Sequence, residues 1–170
     1  MALLKIIHYP NPNLKIKSQP ITVFDDKLQT LIDDMYETMY HNHGAGLAAP
    51  QVDIHLRLAV IDVQGGGKQK ICIINPEIVS KEGDQIDQHG CLSVPRVPGD
   101  QLKRAAKLRL KALDRHGQPF ELDADGILAI CIQHEIDHLD GKLYIDHLSP
   151  LKRERLFKRA EKYNKRYTSE

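Results

Sequence analysis

Cys131-Ile132-Gln133-His134-Glu135-Ile136-Asp137-His138-Leu139-Asp140-Gly141 is the stretch around which the chain is organised. It contains His-Glu-x-x-His. On a helix, residues four apart lie one above the other on the same face. His134 and His138 can therefore aim two imidazoles at one metal ion. Glu135, one step round, can reach a water beside that ion. The flanks read as helical. Asp123 or Asp125 can cap the start, Ile127, Leu128, Ile130 and Cys131 open an apolar run, and Gly141 falls where a left-handed C-terminal residue belongs. Taken alone, the pattern also fits a half-buried helix with two hydrogen-bonded histidines, so a third ligand elsewhere decides between the two.

The 170 residues, 41% of them hydrophobic, suit one compact domain with a sizeable core. A formal net charge of +1 points neither to nucleic acid nor to a membrane surface. No basic start followed by an apolar stretch opens the chain, and no run approaches the roughly 18 apolar residues of a membrane span. Three cysteines, Cys72, Cys91 and Cys131, form no disulfide framework and imply a reducing compartment.

Upstream, Pro10, Pro12 and Pro20 give an extended, turn-rich lead-in. Leu28, Leu31, Ile32, Met35 and Met39 recur at helical spacing, which predicts a helix from about Asp25 to Tyr40. Residues His41 to Gln51 are rich in glycine and alanine. They read either as a flexible loop or as a small-residue wall of a site with Gln51 offering an amide, and His41 and His43 read as solvent-facing. Strands are expected over Leu56–Val63, Ile71–Ile74 and Ile78–Ile86, with Gly65-Gly66-Gly67-Lys68 as a hairpin tip and Cys72 a core thiol. Leu108, Leu110 and Ala112 alternate with charges, and Asp114-Arg115-His116-Gly117 turns the chain into Phe120 and Leu122. Ser149-Pro150 opens a last helix. A helix, several antiparallel hairpins and two more helices argue an α+β fold, with antiparallel sheets packed around the metal-binding helix. We divide the chain into a catalytic part, 1–148, and a basic helix of the same domain, 149–170.

Cys91 and Cys131 compete for the third ligand position. Cys131 lies a full turn before His134, about 5 Å further along the axis, and three donors from one straight helix converge poorly on one ion. Cys91 sits in a separate segment and can approach from another side. Two imidazoles and a thiolate leave one of four positions open, as in a catalytic site, and suit Zn(II), Fe(II), Co(II) or Ni(II).

Gly44-Ala45-Gly46-Leu47-Ala48-Ala49-Pro50-Gln51, Gly90-Cys91-Leu92-Ser93 and Gln133-His134-Glu135-Ile136-Asp137-His138 resemble, in order and separation, the three motifs of the peptide deformylases. The likeness runs from Ile6-Ile7-His8-Tyr9-Pro10 to the final helix. It implies a cytoplasmic enzyme that removes the formyl group from N-formylmethionine on new polypeptides. It also implies one Fe(II) ion in the cell, replaceable by zinc, nickel or cobalt. Glu135 is then the general base, which takes a proton from water and passes it to the leaving amine. The Gln51 amide and the Leu92 N–H would stabilise the oxyanion. Ala45, Gly46, Ile130, Cys131 and His134 would line the methionine pocket, with Arg104 at its rim. The substrate backbone would pair with Ala45 and with Gly90 to Leu92. Gln133 and Asp137 would steady the histidines.

Two departures from the family pattern stand out. A residue is inserted between Pro95 and Arg104, and His89 occupies the place of a glutamate that pairs with the arginine matching Arg104. We therefore expect an active enzyme with a more mobile Arg104 and a looser rim. A non-catalytic relative and a general metalloprotease are the competing functions. The intact Cys91, His134, Glu135, His138 and Gln51 oppose the first, and the missing third ligand downstream opposes the second. Leu151 to Tyr167 carries eight Lys or Arg against two Glu. That helix is either a solvated basic element packed on the domain or a dock for the ribosome.

Overall fold

A computed structural model describes residues 2–87, 102–147 and 149–168. Helix α1 spans Asp26–His41, within a residue of expectation, with Asp25 Oδ1 accepting the Leu28 N–H at 3.0 Å as its N-cap. Five strands follow: β1 Gly46–Ala48, β2 Leu58–Ile61, β3 Ile71–Asp87, β4 Leu102–Leu113 and β5 Pro119–Asp125. They form one sheet in the order β1-β2-β3-β4-β5, every neighbouring pair antiparallel. Helix α2, Gly126–Leu139, leaves β5 directly, and helix α3, Pro150–Thr168, ends the described chain.

Side-chain alternation divides the core between the two sheet faces. Leu47, Leu58, Val60 and Ile74 pack with Ile32, Met35 and Met39 of α1. Their neighbours Ala48, Ala59, Ile61 and Ile73 point the other way, joining Leu108, Leu110, Ala112 and Ala124 against Ala129, Ile132 and Leu139 of α2. The alanines keep α2 close to the strands. Its C-terminus is fixed by Arg57, whose Nη1 donates to the Leu139 carbonyl at 3.1 Å while Nη2 meets Asp140 at 3.0 Å. Gly141 follows at φ +74°, and a Cβ there would run into the Lys15 carbonyl.

Three expectations change. Ile71–Ile74 and Ile78–Ile86 are one long strand, which absorbs Asn75 at φ +49° and register shifts between Ile74 and Ser80. Asn75 compensates with its side chain, which accepts the Ile21 N–H and donates to the Ile21 carbonyl, both at 2.9 Å. The small-residue stretch is no flexible loop, because Leu47 and Ala48 are fully buried in β1. Asp125 occupies the N-cap position of α2 without a side-chain hydrogen bond, and Asp123 lies within β5. At α3, Ser149 Oγ accepts the Lys152 N–H at 3.3 Å, and Phe157 meets Tyr9 edge-on with ring centroids 5.9 Å apart.

Candidate metal centre

α2 presents His134 and His138 toward one point. Their Nε2 atoms lie 3.1 Å apart. Two imidazole nitrogens each about 2.0–2.1 Å from a shared ion, as in zinc–histidine bonds, stand roughly that far from one another. Burial drives both rings down to about 3; His138 and then Arg104 add to the effect at His134, and Arg104 at His138. Both imidazoles are therefore neutral near pH 7, the form that offers a lone pair.

Glu135 is 3% exposed, and its Oε2 has no hydrogen-bond partner among the described residues. Burial raises its carboxyl to about 8, against the opposing pull of Arg104. Its space comes from β1. A Cβ on Gly46 would stand 2.8 Å from Glu135 Oε1 and 2.8 Å from Cys131 Sγ. Cys131 turns its thiol toward the Ala45 carbonyl, 3.7 Å away. Among the described residues no cluster of three metal-binding side chains forms, so Cys131 does not complete a triad with the two histidines. Cys91, Gly90, Leu92 and His89 lie outside the described residues.

Gln51, 1% exposed, accepts the Ala48 N–H through Oε1 at 2.9 Å, which fixes which end of its amide carries the N–H groups. Ile130 is buried near the start of α2 and Ala45 is exposed at the edge of β1. His41 and His43 face solvent as expected.

Arg104 differs from expectation. It is 7% exposed, with Nε 3.4 Å from Asp87 Oδ2 and Nη1 2.6 Å from Asp137 Oδ2. Two carboxylates hold it in place, so the substitution at position 89 does not leave it without a counter-charge. Asp137 also meets His147 Nε2 at 3.1 Å. Gln133, expected to steady a histidine, is instead bonded to β4. It accepts the Ala105 N–H at 3.0 Å and donates to the Ala105 carbonyl at 3.1 Å. The sequence reading missed Asp87. Its signal is a carboxylate two positions along the strand from Gln85, on the face that α2 covers.

An antiparallel sheet crossed by a His-Glu-x-x-His helix, with two neutral imidazoles converging beside a buried carboxylate, is the plan of a metal-dependent hydrolase. A family model described as polypeptide deformylase matches residues 3–154. A peptide deformylase of Chromobacterium violaceum is 51% identical over 167 residues, covering 96% of this chain and 99% of that protein. The crystal structure of a peptide deformylase from Legionella pneumophila superposes with a TM-score of 0.93 at 48% identity, covering 99% of both chains. That of the Ehrlichia chaffeensis peptide deformylase in complex with actinonin gives 0.86 at 37% identity, covering 98% and 99%. The chain belongs to the polypeptide deformylase family.

Proposed function

We propose that His134, His138 and Cys91 hold one metal ion beside Glu135, and that this site removes the formyl group from the N-terminal methionine of newly made polypeptides. The protein is a metallohydrolase, as its family is. The convergence of two neutral imidazoles beside a buried carboxylate oxygen with no hydrogen-bond partner among the described residues supports these roles most directly. We assign Fe(II) as the ion in the cell, with zinc, nickel or cobalt able to replace it. Bound there, such an ion supplies Lewis acidity, which brings a water's pKa toward neutrality and polarises a carbonyl.

Glu135 does the proton work. As the carboxylate, Glu135 takes a proton from water, and its burial, which favours the protonated form, lets it retain that proton until the amine departs. The water oxygen bonds to the formyl carbon, the C–N bond breaks, and the proton on Glu135 moves to the amine nitrogen. Formate and a free N-terminus result. Charge gathering on the formyl oxygen meets the Gln51 amide and the Leu92 N–H. The methionine side chain lies among Ala45, Gly46, Ile130 and Cys131. The substrate backbone adds beside β1, an outer strand of the sheet, and along Gly90 to Leu92. Arg104 acts on the site through its buried charge, which is felt at His134, Glu135 and His138.

Formate release from a formyl-Met peptide tests the assignment. Glu135→Gln should abolish release while bound metal, measured by elemental analysis, stays at one per chain. Near-full turnover in that variant would remove Glu135 from the proton path. Actinonin, bound by the Ehrlichia chaffeensis relative, should compete with the peptide. We place the protein in the cytoplasm and assign the ribosome as the partner of α3, on the excess of basic residues in that helix. Among the described residues no helix is long and apolar enough to cross a membrane.

A further inference from the structure

The end of the β3–β4 hairpin at Asp87 and Leu102 holds a buried ion pair that the proton transfers do not use. Asp87, the last residue of β3, lies opposite Leu102, and Arg104 lies opposite Gln85. The two side chains are diagonal neighbours on the face covered by α2. They are 3% and 6% exposed. The same guanidinium reaches across to Asp137 of α2. We propose that Asp87 is a positioning residue for the metal centre: with Asp137 it fixes the Arg104 guanidinium, and this clamp sets the rotation of α2, and hence of His134 and His138, against the strands. The proposal rests on those two histidines being metal ligands.

Each histidine immediately follows a residue tied to β4. Gln133 is bonded to the Ala105 backbone, and Asp137 to the Arg104 side chain. Gln133 and Asp137 are four apart, as are His134 and His138, so two parallel rows run along the helix. One row is anchored to adjacent residues of β4 and the other points at the metal position. A turn of α2 about its axis would have to break both anchors before it could spread the imidazoles. The Ala105 anchor joins the Gln133 amide to both the N–H and the carbonyl of one strand residue, and two bonds to a fixed backbone hold it firmly. The Arg104 anchor swings on a long side chain unless a second carboxylate holds the planar fork from another element, and Asp87 supplies that hold. A second buried carboxylate is a poor way to add stability, because its desolvation offsets the attraction. A directional role explains its presence better.

The test uses zinc-loaded protein and follows zinc release to an excess of chelator. Asp87→Asn keeps the shape and removes the charge. It should release zinc about 10- to 100-fold faster, the range that groups supporting metal ligands command. The double variant Asp87→Leu/Arg104→Met replaces the pair with apolar groups of similar size, keeps the fold if the single variant does not, and should release zinc faster by a similar factor. Arg115→Ala, which removes the guanidinium bonds of the β4–β5 turn to Gln29 and Asp33 of α1, should lower the thermal midpoint without changing zinc release. Folded Asp87 variants that release zinc at the unmodified rate would overturn the proposal. So would an Arg115→Ala protein that loses zinc as fast as they do, since release would then follow overall stability. His138→Ala must lose zinc outright. If it does not, the ligand assignment has failed rather than the clamp.

Discussion

Gly46→Ala adds one methyl group where β1 already touches the Glu135 and Cys131 side chains. β1 is extended at Gly46, so alanine meets no backbone penalty there and would by itself stiffen the unfolded chain slightly. The difficulty is space. The new Cβ would sit 2.8 Å from both Glu135 Oε1 and Cys131 Sγ, about 0.6 Å inside the 3.4 Å at which ordinary contact begins. β1 cannot retreat freely, because Gly46 is paired with Ile61 and the Asp62 N–H donates to the Ala45 carbonyl at 2.8 Å. The carboxylate and the thiol must therefore move. Overpacking of this kind costs about 1–3 kcal/mol of stability. A general base displaced by a fraction of an ångström to 1 Å loses up to about 100-fold in rate. We expect Gly46→Ala to lower kcat on a formyl-Met peptide by about 10- to 100-fold with metal content unchanged, and to lower the thermal midpoint by several degrees. The two contacts separate in a double variant. Adding Cys131→Ala removes the sulfur and should restore much of the midpoint, while kcat stays low because Glu135 is still displaced. A Gly46→Ala protein with unmodified kcat would refute the placement of Glu135 against β1.

Cys91→Ser should lose metal and Cys131→Ser should retain it, read by elemental analysis after dialysis; the reverse would reassign the third ligand. Asp62→Asn should destabilise in a pH-dependent way. Burial alone would raise the Asp62 carboxyl, but the Tyr40 hydroxyl at 2.7 Å and the N–H groups of Gly67, Gln69 and Gly65 hold it below its ordinary value of 3.8. A depressed carboxyl stabilises the fold above that value and loses its contribution as pH falls through the lower, folded one. The midpoint gap between unmodified and Asp62→Asn protein should thus be full at pH 6 and shrink below about pH 4; a gap that widens in acid would contradict the sign. Truncation after Ser149 should leave turnover on a short peptide intact and weaken salt-sensitive ribosome binding. Unchanged ribosome sedimentation would make α3 a packed basic helix only.

The helices were legible because each carries its own punctuation. Asp25 caps α1, Gly141 closes α2, and Ser149-Pro150 opens α3, all within a turn of sequence. The convergence of His134 and His138 was legible for the same reason, since their four-residue spacing is local. β1 was not, because Gly46-Leu47-Ala48 is too short to carry a strand signature of its own and takes its place by its register with β2. The long β3 was divided in two because its apolar pattern breaks at Asn75-Pro76, where the strand continues through a residue whose side chain pairs with Ile21. The Asp87–Arg104 pair was hidden because the expected strands stopped at Ile86 and resumed only at Leu108, so neither residue was placed on a strand facing the helix.

Gln133 has a consequence beyond the site. β5 stops opposite Lys107, so along residues 102–106 β4 has β3 on one side and no strand on the other among the described residues. Such an open stretch invites pairing with another chain. By offering an N–H and a carbonyl oxygen to Ala105, the Gln133 amide behaves as a one-residue strand supplied by a helix. It blunts the stretch against self-association in the same act that indexes the helix to the sheet. A substitution at Gln133 should therefore show itself in concentrated solution, as a rise in apparent mass, as well as in the assay tube.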